Sequence, residues 1–185
     1  MSNRYRGTTL EGNAVEVEVD EERIVAVEEI AADGALPLIA PPLVDLQHNG
    51  AKHLAFNRVH EAPETLETVA RHALRHGVGR LLATITTQAY EDSLESLKAI
   101  DQQLKADPFL ARCYPGIFFE GNYMSAEYGW RGVHPEQFMR DPSWVQWEEL
   151  YKASGQRIVK FNIDPSRSGA MQTIRAAAAA GILVS

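Results

Sequence analysis

The chain of 185 residues is poor in cysteine and in basic residues, and it contains no long apolar run. Its one cysteine, Cys113, cannot form an intramolecular disulfide, which favours a reducing, cytoplasmic setting. The formal net charge of −7 argues against a nucleic-acid partner, because no basic patch is available to displace counterions from a phosphate backbone. No run of about 18 apolar residues is present and the start of the chain has no signal-peptide core, so we expect no membrane association. The composition predicts an acidic, soluble, cytoplasmic protein.

Two different patterns divide the chain near residue 40. In the first part, Val15, Val17 and Val19 alternate with charged residues, and this period of two is typical of short antiparallel strands. A segment rich in glycine and proline follows, over residues 31–42, and marks the change. From residue 41 onward, short apolar strands alternate with amphipathic helices. We therefore predict strands of a small β domain over 1–40 and an α/β domain over 41–185.

The α/β part contains four and a half strand–helix units, which predicts parallel strands joined by right-handed crossovers. A doubly wound sheet of five strands would be complete at this length, whereas a (β/α)8 barrel of about 250 residues would be half present. Length favours the open sheet. The polar residues favour the barrel, because a barrel builds its active site from the carboxyl ends of several strands. Such residues follow the first four strands: Asp45, Gln47, Asn49, Thr86, Thr87, Glu120, Asn162 and Asp164.

The first of these strands, "LVDLQHNG", resembles a metal-binding strand in which both ligands have been replaced. Strands of this kind in metal-dependent hydrolases usually end in His-x-His, but Gln47 and Asn49 occupy those positions and His48 faces the other way. Neutral amides are poor zinc ligands, although they can orient a metal-bound water. Alternatively, they satisfy backbone groups of the loop.

Three further candidates come from the later loops. Glu120 follows the apolar run "GIFF", where a carboxylate is costly unless it is paired or binds a cation, although it could equally be a glutamate of a surface turn. His134 lies in a polar and aromatic loop that suits an anionic or hydroxylated ligand, but a lone histidine is more often structural. Cys113, which we place at the start of a strand, has no clear histidine partner for nucleophilic chemistry.

Several motifs occur in the order found in one family. The segments "PPLVDLQHNG", "TITT", "GIFFEGNYMS", "RGVHPE" and "AAAAAGILVS" together resemble the N-acetylglucosamine-6-phosphate deacetylases of the amidohydrolase superfamily. The resemblance implies a (β/α)8 TIM barrel with a small β-sandwich assembled from both chain ends. Residues 1–40 would then supply strands of the sandwich, and residues 41–185 the first four and a half units of the barrel.

The resemblance also implies a site and a reaction. Gln47 and Asn49 match a Gln-x-Asn form of the family with one metal ion, in which they are water-mediated neighbours of the metal and Glu120 is a direct ligand. The ion is divalent, with zinc favoured, although one glutamate is also compatible with iron or manganese. Val133 and His134 match positions that contact the sugar. The implied reaction removes the acetyl group from an N-acetylated amino sugar phosphate, in a homodimer.

Some family residues have no match in this sequence. The catalytic aspartate and two metal-binding histidines are expected beyond Ser185, so we expect the 185 residues alone to be inactive. Two other interpretations remain open: an inert half-barrel with a binding or assembly role, and a metal-free α/β domain of five strands that binds a small molecule. The family's Glu-Gly-Pro is Glu-Gly-Asn here, which we expect to alter the turn that presents Glu120.

Overall fold

The structure is a computed structural model that describes residues 2–32 and 34–185. Its internal contacts divide the chain into two units, Met1–Pro42 and Leu43–Ser185. Within the described residues, no helix has the length and apolar character needed to cross a membrane.

The first unit is an antiparallel sheet of three strands, β1 (Asn3–Thr8), β2 (Ala14–Asp20) and β3 (Arg23–Glu29), paired in that order. Val15 and Val17 are buried on one face of β2, as the alternation predicts. The segment after β3 returns to β1, where the Ile39 amide donates to the Thr8 carbonyl at 2.9 Å. These strands agree with the predicted antiparallel pattern, and their place in a β-sandwich stays a prediction.

The second unit is built on a parallel sheet. Its strands are β4 (Leu43–His48), β7 (Val78–Ile85), β8 (Gly116–Phe119), β9 (Ile158–Phe161) and β10 (Leu183–Val184), with a two-stranded hairpin of β5 (Gly50–Ala51) and β6 (Leu54–Ala55) after β4. The five parallel strands lie side by side in chain order, from β4 to β10. A doubly wound sheet reverses its strand order once, so that alternative is wrong. The sheet is a curled parallel half-barrel, and the predicted α/β class is confirmed.

The helices of the second unit are α1 (Thr65–Leu74), α2 (Tyr90–Ala106), α3 (Pro108–Cys113), α4 (Trp144–Ala153) and α5 (Ala170–Ala179), with short 3-10 helices at Phe56–Arg58 and Glu136–Phe138. Four of them, α1, α2, α4 and α5, are the helices of the four complete strand–helix units that the sequence predicts, but α3 was not predicted. The placement of Cys113 at a strand start is therefore wrong, because Cys113 is the last residue of α3. The signals for this helix were present: Pro108 occupies its first turn, and the Asp107 carboxylate accepts from the Phe109 amide at 2.8 Å.

The two faces of the sheet have different surroundings. Ile85, Phe119 and Phe161 belong to the hydrophobic core that the sheet shares with the helices, which also includes Leu66, Leu97 and Trp147. Since side chains alternate along a strand, Phe118 and Glu120 point to the opposite face. On that face the Lys160 ammonium lies 4.0 Å from the centroid of the Phe118 ring, which is a cation–π contact.

Strand β4 forms one edge of the sheet and is poorly covered. Leu43, Val44 and Leu46 are 66%, 57% and 55% exposed. An edge strand offers unpaired backbone groups as well as these apolar side chains, and such edges are normally protected. The edge of the half-barrel is therefore a surface suited to contact with further polypeptide.

Candidate active site

The carboxyl end of the sheet brings together residues that are far apart in sequence. The Gln47 amide, on β4, donates from Nε2 to Glu120 Oε1 at 2.5 Å, although 73 residues separate the two in the chain. Strand β7 lies between their strands, so the two side chains meet across its end. The Glu120 amide donates to the Ile85 carbonyl at 2.9 Å, which fixes the backbone from which the carboxylate projects. Glu120 is only 9% exposed, so the predicted surface-turn alternative does not describe its position.

The other polar residues of the first strand do not join this contact. The Asn49 side chain is exposed and has no hydrogen bond to any residue in the described part of the chain. His48 Nδ1 accepts from the Gly50 amide at 3.1 Å. The Asp45 carboxylate accepts from the Gln47 backbone amide at 2.9 Å and so helps to hold the strand end that carries Gln47. Of the two predicted amides, the structure places Gln47 against Glu120, whereas Asn49 makes no hydrogen bond to Glu120.

Asn57 organises the end of β7, a role that the sequence did not reveal. Its Oδ1 accepts from the Thr86 amide at 3.0 Å and from the Thr86 hydroxyl at 3.2 Å, while its Nδ2 donates to the Thr86 carbonyl at 3.1 Å. One side chain thereby satisfies three polar groups of the residue that follows the strand. Its position after the β5–β6 hairpin carries no spacing signal, because the partner lies 29 residues away.

His134 lies on the long loop between β8 and α4 and reaches back to the end of β7. Its Nδ1 is 2.9 Å from the Thr87 hydroxyl, and Thr87 is only 5% exposed. Val133, the neighbouring predicted residue, is 99% exposed, so its side chain contacts almost nothing within the structure. The geometry gives His134 a defined orientation, whereas the Val133 side chain is open to solvent, so the sugar contact of Val133 stays a prediction.

Asn122 forms hydrogen bonds that connect the two ends of the loop between β8 and α4. Its Nδ2 donates to the Gln88 carbonyl and to the Phe138 carbonyl, both at 2.8 Å, and its own carbonyl accepts from the Arg140 amide at 2.8 Å. Asn122 has φ +53, a left-handed conformation that asparagine tolerates and proline, with φ fixed near −65°, cannot adopt. Proline could not take this conformation, and the Asn122 side chain stabilises the turn through these hydrogen bonds. That the turn differs from the family's stays a prediction.

A cavity of about 490 Å³ lies beside this loop, at the ends of β9 and β10. Met124 and Trp130 contribute apolar surface, and Asn162, Asp164 and Ser185 contribute polar groups. Its volume lies within the range of about 300–1,000 Å³ that small-molecule sites usually have. Hydrogen bonds from the Ser166 amide and hydroxyl hold the pKa of the Asp164 carboxyl below its ordinary value, so this wall of the cavity carries a negative charge at neutral pH.

The described residues do not by themselves make a complete metal site. Within residues 2–32 and 34–185, no three histidine, cysteine, aspartate or glutamate side chains come close enough together to hold an ion. Glu120 is a buried carboxylate with a neutral partner, which suits a single ligand position. Tight binding of a divalent transition metal usually needs three or four such ligands. The described residues could supply one ligand of a metal ion, but not a complete set of ligands.

Neither Glu120 nor His134 lines the cavity beside the loop, but both belong to the same carboxyl end of the sheet. A parallel half-barrel with polar residues gathered at the carboxyl ends of its strands defines an α/β protein with an enzyme-like site. Comparison with known proteins agrees with the family that the motifs resemble. The chain is 28% identical over 139 residues to the N-acetylgalactosamine-6-phosphate deacetylase of Escherichia coli O157:H7, and 26% identical over 154 residues to the N-acetylglucosamine-6-phosphate deacetylase of Vibrio furnissii. These matches cover 75% and 81% of this chain but 35% and 37% of the relatives, so the chain spans about a third of their length. No protein-family model matches.

Solved structures give the same result for the fold. N-acetyl-D-glucosamine-6-phosphate deacetylase from Mycobacterium smegmatis superposes with a TM-score of 0.80 at 24% identity, covering 100% of this chain and 49% of that one. The deacetylase from Thermotoga maritima gives a TM-score of 0.79 at 20% identity, covering 100% and 48%. The resemblance to these deacetylases is confirmed: the chain corresponds to part of the larger enzymes.

Proposed function

We propose that this chain is part of a metal-dependent amidohydrolase that removes the acetyl group from an N-acetylated amino sugar phosphate. The observation that carries the proposal is the buried Glu120 carboxylate, which meets Gln47 across the end of β7. The curated relatives are deacetylases of N-acetylgalactosamine-6-phosphate and N-acetylglucosamine-6-phosphate. A deacetylase of Mycobacterium smegmatis has been solved in complex with N-acetyl-D-glucosamine-6-phosphate, which supports a substrate of this class.

In the proposed site, Glu120 supplies one ligand to a divalent ion, zinc in the first instance, and Gln47 restrains the carboxylate. Gln47 Nε2 donates to one oxygen only, so the second oxygen of Glu120 is left for the ion. Asn49 would be a second, water-mediated neighbour of the ion, as the resemblance to the Gln-x-Asn form implies. When bound, the metal would polarise the acetamide carbonyl and acidify a water molecule.

The substrate would lie against the loop that carries Val133 and His134. The orientation of the His134 ring by Thr87 makes this imidazole a suitable contact for a sugar oxygen. We place the remaining ligands, the phosphate-binding groups and the proton-transferring aspartate in a part of the barrel that these residues do not supply. The half-barrel would then be completed to a (β/α)8 TIM barrel, in a cytoplasmic homodimer.

The test uses the polypeptide made from the native gene, with its intact mass and metal content measured on the same sample. Acetate release is then followed with N-acetylglucosamine-6-phosphate and with N-acetylgalactosamine-6-phosphate. We expect activity on at least one of them and its loss in Glu120→Gln, together with a fall in bound metal. Glu136→Gln is the matched control, because Glu136 is an exposed acid of the loop that carries His134. Absence of acetate release from both substrates, or full activity in Glu120→Gln, would refute the proposal.

A second candidate, an assembly module without catalytic activity, is favoured by the exposed edge strand β4. Leu43, Val44 and Leu46 would pack against another polypeptide in that case. Sedimentation of the same native sample distinguishes the two. A polypeptide of 20.5 kDa in a stable complex with a different chain, with neither metal nor deacetylation, would support the assembly module. A longer polypeptide with activity would exclude it.

A further inference from the structure

The contact between Thr87 and His134 determines more than the position of the ring. Thr87 lies just after β7 and is 5% exposed, and its Oγ1 is 2.9 Å from His134 Nδ1. The same oxygen accepts a hydrogen bond from the Asn122 backbone amide at 3.2 Å. A single hydroxyl therefore holds both the imidazole and the turn that begins two residues after Glu120.

The hydrogen-bonding capacity of the hydroxyl decides which way the second bond runs. A threonine hydroxyl has one proton to donate and two lone pairs that accept. One lone pair already receives the Asn122 amide. If Nδ1 carried a proton and also donated to Oγ1, the hydroxyl proton would need another acceptor, and the described residues provide Thr87 with none. A buried hydroxyl rarely leaves its proton unpaired, so the hydroxyl donates to Nδ1.

An Nδ1 that accepts a hydrogen bond carries no proton. The neutral imidazole must then carry its proton on Nε2, because the two tautomers are the only neutral forms. His134 is half-buried and Val133 beside it is exposed, so the ring stands at the boundary between the loop and solvent. Nε2 is accordingly the donor available to a ligand.

We propose that Thr87 is a positioning residue that fixes neutral His134 as the Nε2–H tautomer, which donates to an acceptor oxygen of the bound sugar. The identity of the ligand rests on the proposed function, whereas the tautomer does not. Because the same hydroxyl receives the Asn122 amide, loss of it also loosens the turn after Glu120. Thr87 thus links the imidazole of His134 to the turn that follows Glu120.

The tautomer is measured directly by ring 15N chemical shifts and two-bond proton–nitrogen correlations at a pH where the ring is neutral. The His134 signals are identified by their loss in His134→Gln. We expect the Nε2–H pattern in the wild type and in Thr87→Ser, which keeps the hydroxyl, and a mixture of tautomers in Thr87→Val. Thr84→Val is the matched control, since Thr84 lies in β7 and its buried hydroxyl donates to the Leu82 carbonyl. An Nδ1–H pattern in the wild type, or an unchanged pattern in Thr87→Val, would overturn the proposal.

Kinetics of the native polypeptide test the consequence for the ligand. Thr87→Val should lower kcat/KM for the amino sugar phosphate by about fivefold to tenfold, the effect of one neutral hydrogen bond. Thr87→Ser should recover most of the loss, and Thr84→Val should cause none. Full activity in Thr87→Val with an altered tautomer would overturn the positioning role. If the wild type deacetylates neither amino sugar phosphate, the proposed function fails, and the wild-type ring pattern still decides the tautomer.

Discussion

Replacement of Asp101 by asparagine should destabilise the second unit through the loss of a half-buried ion network. Asp101 lies in α2 and is 7% exposed. Its carboxylate accepts from Lys105 Nζ at 2.5 Å and from Arg157 Nε at 3.0 Å, so it joins α2 to the turn before β9. In Asp101→Asn the side chain loses its charge, and its amide nitrogen faces a second donor.

The size of this destabilisation follows from the exposure of the two cationic side chains that contact Asp101. The Arg157 side chain is 31% exposed, and a hydrogen bond to a charged group in such a position contributes about 1.5–3 kcal/mol. The Lys105 side chain is 64% exposed, so screening by solvent limits its contribution to about 0.5 kcal/mol. We therefore expect Asp101→Asn to lower the free energy of unfolding by about 2 kcal/mol, and to lower Tm by about 6 °C.

The pH dependence of this difference identifies its cause. Burial of Asp101 opposes its ionisation, but the hydrogen bonds from Lys105 and Arg157 outweigh burial and hold the pKa of the carboxyl below its ordinary value of 3.8. A lowered folded-state pKa contributes stability that is complete above the unfolded pKa and is lost as the pH falls through the folded one. The difference between wild type and Asp101→Asn should thus be constant at neutral pH and should shrink below about pH 4.

Urea unfolding at several pH values, followed by far-UV circular dichroism, measures the difference in unfolding free energy between the wild type and Asp101→Asn. Glu95→Gln is the matched control, because Glu95 pairs with Lys98 on the same helix and both side chains are more than half exposed. We expect that control to leave the unfolding midpoint unchanged. A midpoint for Asp101→Asn equal to that of the wild type at neutral pH, or a difference that grows in acid, would contradict the reasoning.

Three other substitutions test the backbone and the core. Gly155→Ala should lower the free energy of unfolding by at least about 1–2 kcal/mol in a thermal melt. The reason is that Gly155 has φ +61 and an added Cβ would lie 2.1 Å from Asp101 Oδ1. A variant as stable as the wild type would contradict this prediction. Tyr114→Phe should lose about 1 kcal/mol in urea unfolding, because the buried Tyr114 hydroxyl donates to the Leu66 carbonyl at 2.8 Å, and no loss would show that the bond is not formed. Asn122→Pro should lower the free energy of unfolding, measured in urea, by about 3 kcal/mol. This loss should be larger than that in Asn122→Gly, because glycine tolerates φ +53. Equal losses in the two variants would refute the backbone argument.

The sequence predicts the local structure of the second unit because its elements are amphipathic or apolar with clear limits. Helix α2 follows from the spacing of Leu97, Ile100 and Leu104, all of which are buried. Helix α3 was missed because six residues are too few for a periodic pattern, so only its cap and Pro108 could have revealed it. In a short segment, capping residues therefore predict a helix that periodicity cannot reveal.

Strand order could not be obtained from periodicity, because an apolar strand pairs equally well with either neighbour. The polar residues at the strand ends and the family resemblance favour the barrel-like order. The contact of Gln47 with Glu120 depends on both that order and the width of β7, which separates their strands. The sequence thus predicts which residues lie at the carboxyl end of the sheet, but the pairs that touch depend on curvature and register.

The neutral partner of Glu120 is informative about the kind of site that the half-barrel can support. Arginine or lysine in place of Gln47 would neutralise the carboxylate and make the contact a structural ion pair, as Arg157 does for Asp101. An amide donor instead holds the carboxylate in place, and within residues 2–32 and 34–185 no cationic side chain forms an ion pair with Glu120. A buried uncompensated carboxylate is costly, and the cost is relieved when a cation binds. The stability lost through this arrangement is therefore recoverable on ligand binding, so a divalent ion that reaches Glu120 should stabilise the fold.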